Sequence, residues 1–169
     1  MKIRSLLFLS LCVAISFTVT AKKKSKKRSK ANIALVTAYS QRIVPGIPGS
    51  QPQTVLHIIA VWEGASYPET MFWRGDAGWW GCNIAAAHKI VNRRFIRADY
   101  REYEASVISP DKIQKGDTLQ IDPMPGGKFP VPAEIPNDAK NTLFYKTGGS
   151  GWLSMHIDTI TRQHDIVKP

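Results

Sequence analysis

Cysteine is nearly missing from this chain of 169 residues: there are two, Cys12 and Cys82. Cys12 lies in an N-terminal apolar run that reads as a cleaved leader, so Cys82 is left alone and no intramolecular disulfide can brace the fold. Stability has to come from packing. Histidine is also sparse: the four, His57, His88, His156 and His164, show neither paired nor short ligand spacing, so no metal site and no cofactor is expected. Internal repeats, heptads and low-complexity tracts beyond one basic stretch are also lacking, which argues against solenoids and coiled coils. The body of the chain lacks net charge as well. Of 23 Lys and Arg against 13 Asp and Glu, two basic residues fall in the leader and seven in Lys22–Lys30, leaving 14 against 13 over residues 31–169. No specific nucleic-acid partner is therefore expected, despite a formal net charge of +10.

What is present begins with residues 1–21, which read as a signal peptide. Lys2 and Arg4 form the positive start, Leu6–Val19 the apolar run and Val19-Thr20-Ala21 the small-residue cleavage site. The run is too short for the ~20 residues of a membrane-spanning helix, so the mature protein is expected to be secreted or periplasmic and not membrane-spanning. Residues 22–30 follow as a disordered basic arm of Lys22, Lys23, Lys24, Lys26, Lys27, Arg28 and Lys30, with no apolar side chain. Such an arm suits an anionic surface, at up to about 1 kcal/mol per basic residue near a charged membrane. A solvated spacer is the plainer reading. Residues 31–169 have the size of a single domain.

Within that domain the pattern is one of short strands. Ile33–Val44 is rich in β-branched residues, and Thr54–Trp62 is a continuous apolar run suited to a strand covered on both faces. His57, inside that run, is expected to be a buried neutral histidine bonded to backbone. The proline-rich stretch Pro45–Gln53 between them reads as an exposed loop. Glu69–Arg74 and Trp79–Ala85 flank Gly75–Gly78 as the arms of a hairpin, with Trp80, Cys82 and Ile84 on one face of the second arm. Further strands are expected in Phe95–Ser109, Lys115–Pro123, Asn141–Thr147 and Gly151–Arg162, with the five prolines of Pro123–Pro136 in an extended loop or edge segment. The fold class expected is all-β: a single β-sandwich or squat barrel of about 7–8 strands. Residues 84–94 are ambiguous. Ile84, Ala87, His88 and Val91 have helical spacing after a cap at Asn83, so a short helix competes there with a longer strand.

Several residues invite a chemical reading. Arg74-Gly75-Asp76 resembles the integrin-binding motif and falls at the expected hairpin tip, where an adhesive protein would present it; Gly-Asp is equally ordinary turn chemistry. Trp73 and Trp79 are the tryptophans expected to face outward, as candidates for ligand contact. Cys82 before a possible helix, Gly116-Asp117-Thr118-Leu119 and then His156 resemble the order of NlpC/P60 cysteine peptidases. That likeness implies a thiolate nucleophile at Cys82 with His156 as base. Gly81-Cys82-Asn83 stands where that family has Asp-Cys-Ser, and an inert packed cysteine is the simpler account. With no catalytic set drawn together, the expected function is a non-enzymatic binding protein that meets a macromolecular partner, a protein or a cell-envelope component, through its loops. A peptidase inhibitor presenting Ile47 and Pro48 in the Val44–Gln53 loop is one form of it.

Overall fold

The structure is a computed structural model that describes residues 32–90, 102–125, 131, 133–135, 139–149 and 151–168. Among these the chain forms strands β1 (Ile33–Pro45), β2 (Gln53–Trp62), β3 (Pro68–Gly75), β4 (Gly78–Lys89), β5 (Tyr103–Val107), β6 (Thr118–Pro123), β7 (Thr142–Thr147), β8 (Leu153–His156), β9 (Thr161–Arg162) and β10 (Ile166–Lys168). The one helical element among the described residues is a 3-10 turn at Pro110–Lys112. All the strands belong to a single mixed sheet, whose path runs β10-β1-β2-β6-β4-β3-β7-β8, with β5 attached to β4 and β9 to β1. The sheet curls into a half-barrel.

The curl follows from side-chain period. In β2, Leu56, Ile58, Ala60 and Trp62 point inward at every second position, and they meet Leu119 and Ile121 of β6. Met71 and Trp73 of β3, Leu143 and Tyr145 of β7 and Met155 of β8 close on the same core from the other half of the sheet. Trp62 and Tyr145 touch edge to face at 5.8 Å, and the Tyr145 hydroxyl accepts a 2.9 Å hydrogen bond from the Asn32 N–H, across 113 residues of chain. β8, at one end of the sheet path, is followed in sequence by β9 and β10, which both pair with β1 at the other end. Only residues 157–160 separate β8 from β9, so His156 and Thr161 can be no more than about 17 Å apart. Ile157 is buried in this seam and Ile160 packs beside it, closing the side where no described strand bridges the gap.

The all-β expectation holds, and the Gly75–Gly78 hairpin forms with Asp76 and Ala77 at its tip. The short helix does not form over residues 84–89. Cys82–Ala86 pair with β6 on one side and Ala85–Lys89 with β5 on the other, so the backbone groups a helix would need are spent in ladders. Residues 91–94 lie outside the described part, as do 95–101 of the expected Phe95–Ser109 strand. The expected strand Gly151–Arg162 is broken into β8 and β9, because after His156 the chain must cross from one end of the sheet to the other. β10 was not anticipated; with β9 it continues parallel to β1.

Candidate functional site

Strand β4 serves both halves of the sheet, and the consequence is a break along one of its edges. Gly78–Gly81 pair with Phe72–Gly75 of β3, and Ala85–Lys89 pair with Tyr103–Val107 of β5. Both partners lie on the edge opposite β6. Between them Cys82, Asn83 and Ile84 have no strand registered against them among the described residues. β3 turns away there because it stays paired with β7 through Thr70–Arg74, with a register shift between Pro68 and Thr70. The space left is a cleft of about 370 Å³, walled by Pro68–Phe72, floored by Gly81–Ile84 and closed by Ile108, Pro110 and Met124.

The main chain of this floor is oriented. The Met124 N–H donates to the Gly81 carbonyl across to the β6 side, so odd-numbered residues of β4 turn their main-chain groups to β6 and even-numbered ones to the opposite edge. Ile90, donating to the Glu102 carbonyl beyond β5, confirms the alternation. At least the Cys82 carbonyl and the Ile84 N–H therefore face the cleft with no strand opposite. Side chains give it an apolar lining from Met71, Ile84, Ile108 and Met124, and among the described residues that line it Glu69 is the one charged residue.

The Cys82 side chain shares the inner face with Trp80 and Ile84, as its alternation in sequence suggested, and all three pack on the core. Burial pushes the thiol well above its usual range, and the negative charge of Asp122 pushes it further; a main-chain hydrogen bond from Trp73 offsets part of this. This is the opposite of an activated nucleophile. Nor does the register set His156 beside it. His156 lies opposite Thr142, which pairs with the Arg74 level of β3; its Nδ1 is 3.1 Å from the Thr142 hydroxyl and its Nε2 is 3.4 Å from Asp158. Along the sheet that is three strand spacings from β4, about 14 Å, and roughly 10 Å further up.

No protein-family model matches this chain, and no curated protein or solved structure is significantly similar to it.

The remaining sequence candidates fall in separate places. Trp73 is not outward-facing: it is 2% exposed, because its cross-strand partner is Trp80 and directly paired residues share a face. Trp79, half-buried, lies on the other face against Phe144 with ring centroids 5.2 Å apart, and the Arg74 guanidinium stands 5.8 Å over its ring. Arg74 also donates from Nη1 to the Gly75 carbonyl at 2.9 Å, so its charge is folded back along the hairpin rather than presented beside Asp76. Asp76 is exposed and 3.4 Å from Lys140. Ile47 and Pro48 stand exposed at the tip of the β1–β2 loop, on the way to Gly49 with its left-handed φ of 85°.

One polar cluster was missed. His57 is not bonded to backbone: its Nδ1 lies 2.7 Å from Asp122 Oδ1, while the Gln120 amide donates to both carboxylate oxygens at 3.1 and 2.9 Å. Tyr39 lies against the imidazole, centroids 5.1 Å apart. The available sequence signal was the alternation of β6, where Thr118, Gln120 and Asp122 are the polar alternates of Leu119 and Ile121, together with the lone His57 in the apolar run of β2. Among the described residues no group of three or more His, Cys, Asp or Glu is placed to hold a metal ion, and no helix is long and apolar enough to cross a membrane.

Proposed function

We propose that this is a secreted or periplasmic binding protein that acts without catalysis, engaging a macromolecular partner while its basic arm holds it near an anionic surface. The observation that carries the reading is the cleft at Cys82–Ile84: an apolar pocket with open main-chain groups, whose thiol is held protonated and which has no histidine among the described residues of its lining. Such a pocket is built for contact and lacks the base that a cysteine nucleophile requires. The exposed β1–β2 loop, with Ile47 at its tip, adds a second protruding contact. The arm contributes long-range attraction that salt screens.

Retention of envelope extracts on the mature chain tests this. Full retention by residues 22–169, weakening as salt rises and falling when Lys22–Lys30 is removed, is the expected result. A hydrolytic activity that disappears in Cys82→Ala would end the non-enzymatic reading, and binding indifferent to salt and to the arm would end the tethering.

A further inference from the structure

We propose that the cleft takes a short extended segment of a partner polypeptide, which completes the interrupted edge of β4 at Cys82–Ile84 and carries a basic residue facing Glu69. The proposal rests on the binding reading above and specifies what is bound.

The main chain supplies the first argument. The Cys82 carbonyl and the Ile84 N–H flank Asn83 at the spacing of one strand residue and point to the same edge. A single residue of an extended chain, aligned in parallel, offers an N–H to the first and a carbonyl to the second; an antiparallel segment does the same with two residues. A sugar or a lipid tail has no donor and acceptor at that fixed repeat. A buried main-chain group left without a partner is costly, so an occupant that excludes water from the cleft must provide both.

The dimensions supply the second. Three residues without a strand partner, between ladders that end at Gly81 and resume at Ala85, leave room for two or three residues in register and no more. The volume of about 370 Å³ is near the lower end for ligand pockets, enough for a peptide segment with its side chains and far too little for a folded element. Met71, Ile84, Ile108 and Met124 provide an apolar seat for one side chain of that segment, and two of the four are methionines, which reshape readily around varied apolar groups. Charge supplies the third. Glu69, exposed at the wall, is the single charged residue among the described residues of the lining, and it favours a lysine or arginine on the occupant over an acidic residue.

The test uses the mature chain and a blocked pentapeptide of alternating lysine and valine, followed by amide correlation spectra. The expected result is a saturable shift of the Ile84, Asn83 and Met71 amides. N-methylation of the central peptide residue should weaken binding about tenfold by removing one main-chain bond, with no change to the protein. Glu69→Gln should weaken it severalfold, and a peptide with glutamate in place of lysine should bind least. Equal saturation by the N-methylated peptide, or shifts confined to other parts of the sheet, overturns the proposal. Absent peptide shifts together with intact retention of an envelope partner overturn this proposal alone. Peptide shifts without such retention overturn the broader binding reading instead.

Discussion

Gly75 sits against the indole of Trp73, so closely that a Cβ at that position would stand 2.8 Å from Nε1. Trp73 is fully enclosed in the core and cannot step aside cheaply. The central residue of the Arg-Gly-Asp tripeptide is thus accounted for by packing. Gly75→Ala is expected to cost about 1–3 kcal/mol through overpacking, whereas Asp76→Ala, at the exposed tip, should stay within about 0.5 kcal/mol. Denaturant midpoints of the two variants decide the matter; equal and small losses would remove the packing account.

Cys82 should resist alkylation by iodoacetamide in the native protein and react freely once unfolded. The same burial gives a pH dependence. Below the free-thiol value of about 8.5 the thiol is protonated in both states, and its contribution to stability is fully present. Above that the unfolded chain ionises while the folded thiol stays protonated, so stability falls as pH rises, by up to about 1.4 kcal/mol per pH unit. Tyr145, whose hydroxyl is also pushed up by burial, adds to the decline only above about pH 10. Denaturation between about pH 8 and 10 should therefore show a shallower loss in Cys82→Ala than in the parent protein. Identical slopes would contradict this.

Asp122 holds the amide of Gln120 and the ring of His57 in place. Asp122→Ala should cost about 1–3 kcal/mol by taking the carboxylate acceptor away from the buried Gln120 amide, and Asp122→Asn less. Because its charge also discourages ionisation of Cys82, Asp122→Asn should speed alkylation of the thiol at alkaline pH. An unchanged rate would mean that burial alone sets the thiol.

At the seam, Ile157→Ala should destabilise by about 2–5 kcal/mol, the range for a buried aliphatic residue cut back to alanine. Tyr145→Phe removes the acceptor of the Asn32 N–H and should cost about 1 kcal/mol. Both are read by thermal or urea unfolding. A loss at Ile157 no greater than that of a surface substitution would show that the seam is not part of the core.

The strands were legible where alternation is strong. Thr54–Trp62 could hardly be anything but a buried strand, and Trp80, Cys82 and Ile84 were placed on the correct face because period two carries the information locally. The error at Trp73 came from a nonlocal quantity. Its face depends on the pairing of Trp73 with Trp80, which the turn of Asp76 and Ala77 sets. The helix alternative at 84–94 failed over 84–89 for a related reason: Ala85, Ala86 and Ala87 favour a helix in isolation, and two flanking strands override that preference. The cleft was invisible because it consists of missing pairing. No residue type marks Cys82–Ile84 as the place where β3 departs and β5 has yet to arrive.

The connection of β8 to β9 also bears on how fast the protein is made ready. Tyr39 near the start of the chain lies opposite Thr161 near its end, and Val44 opposite Val167, so one side of β1 stays bare until the last residues are available. Closing loops of that length is slow, and sheets dominated by distant pairings fold in milliseconds to seconds rather than microseconds. For that interval the apolar run of β2 is open to neighbouring chains. Such a polypeptide needs shelter during synthesis, and dilute refolding should yield far more soluble protein than concentrated refolding.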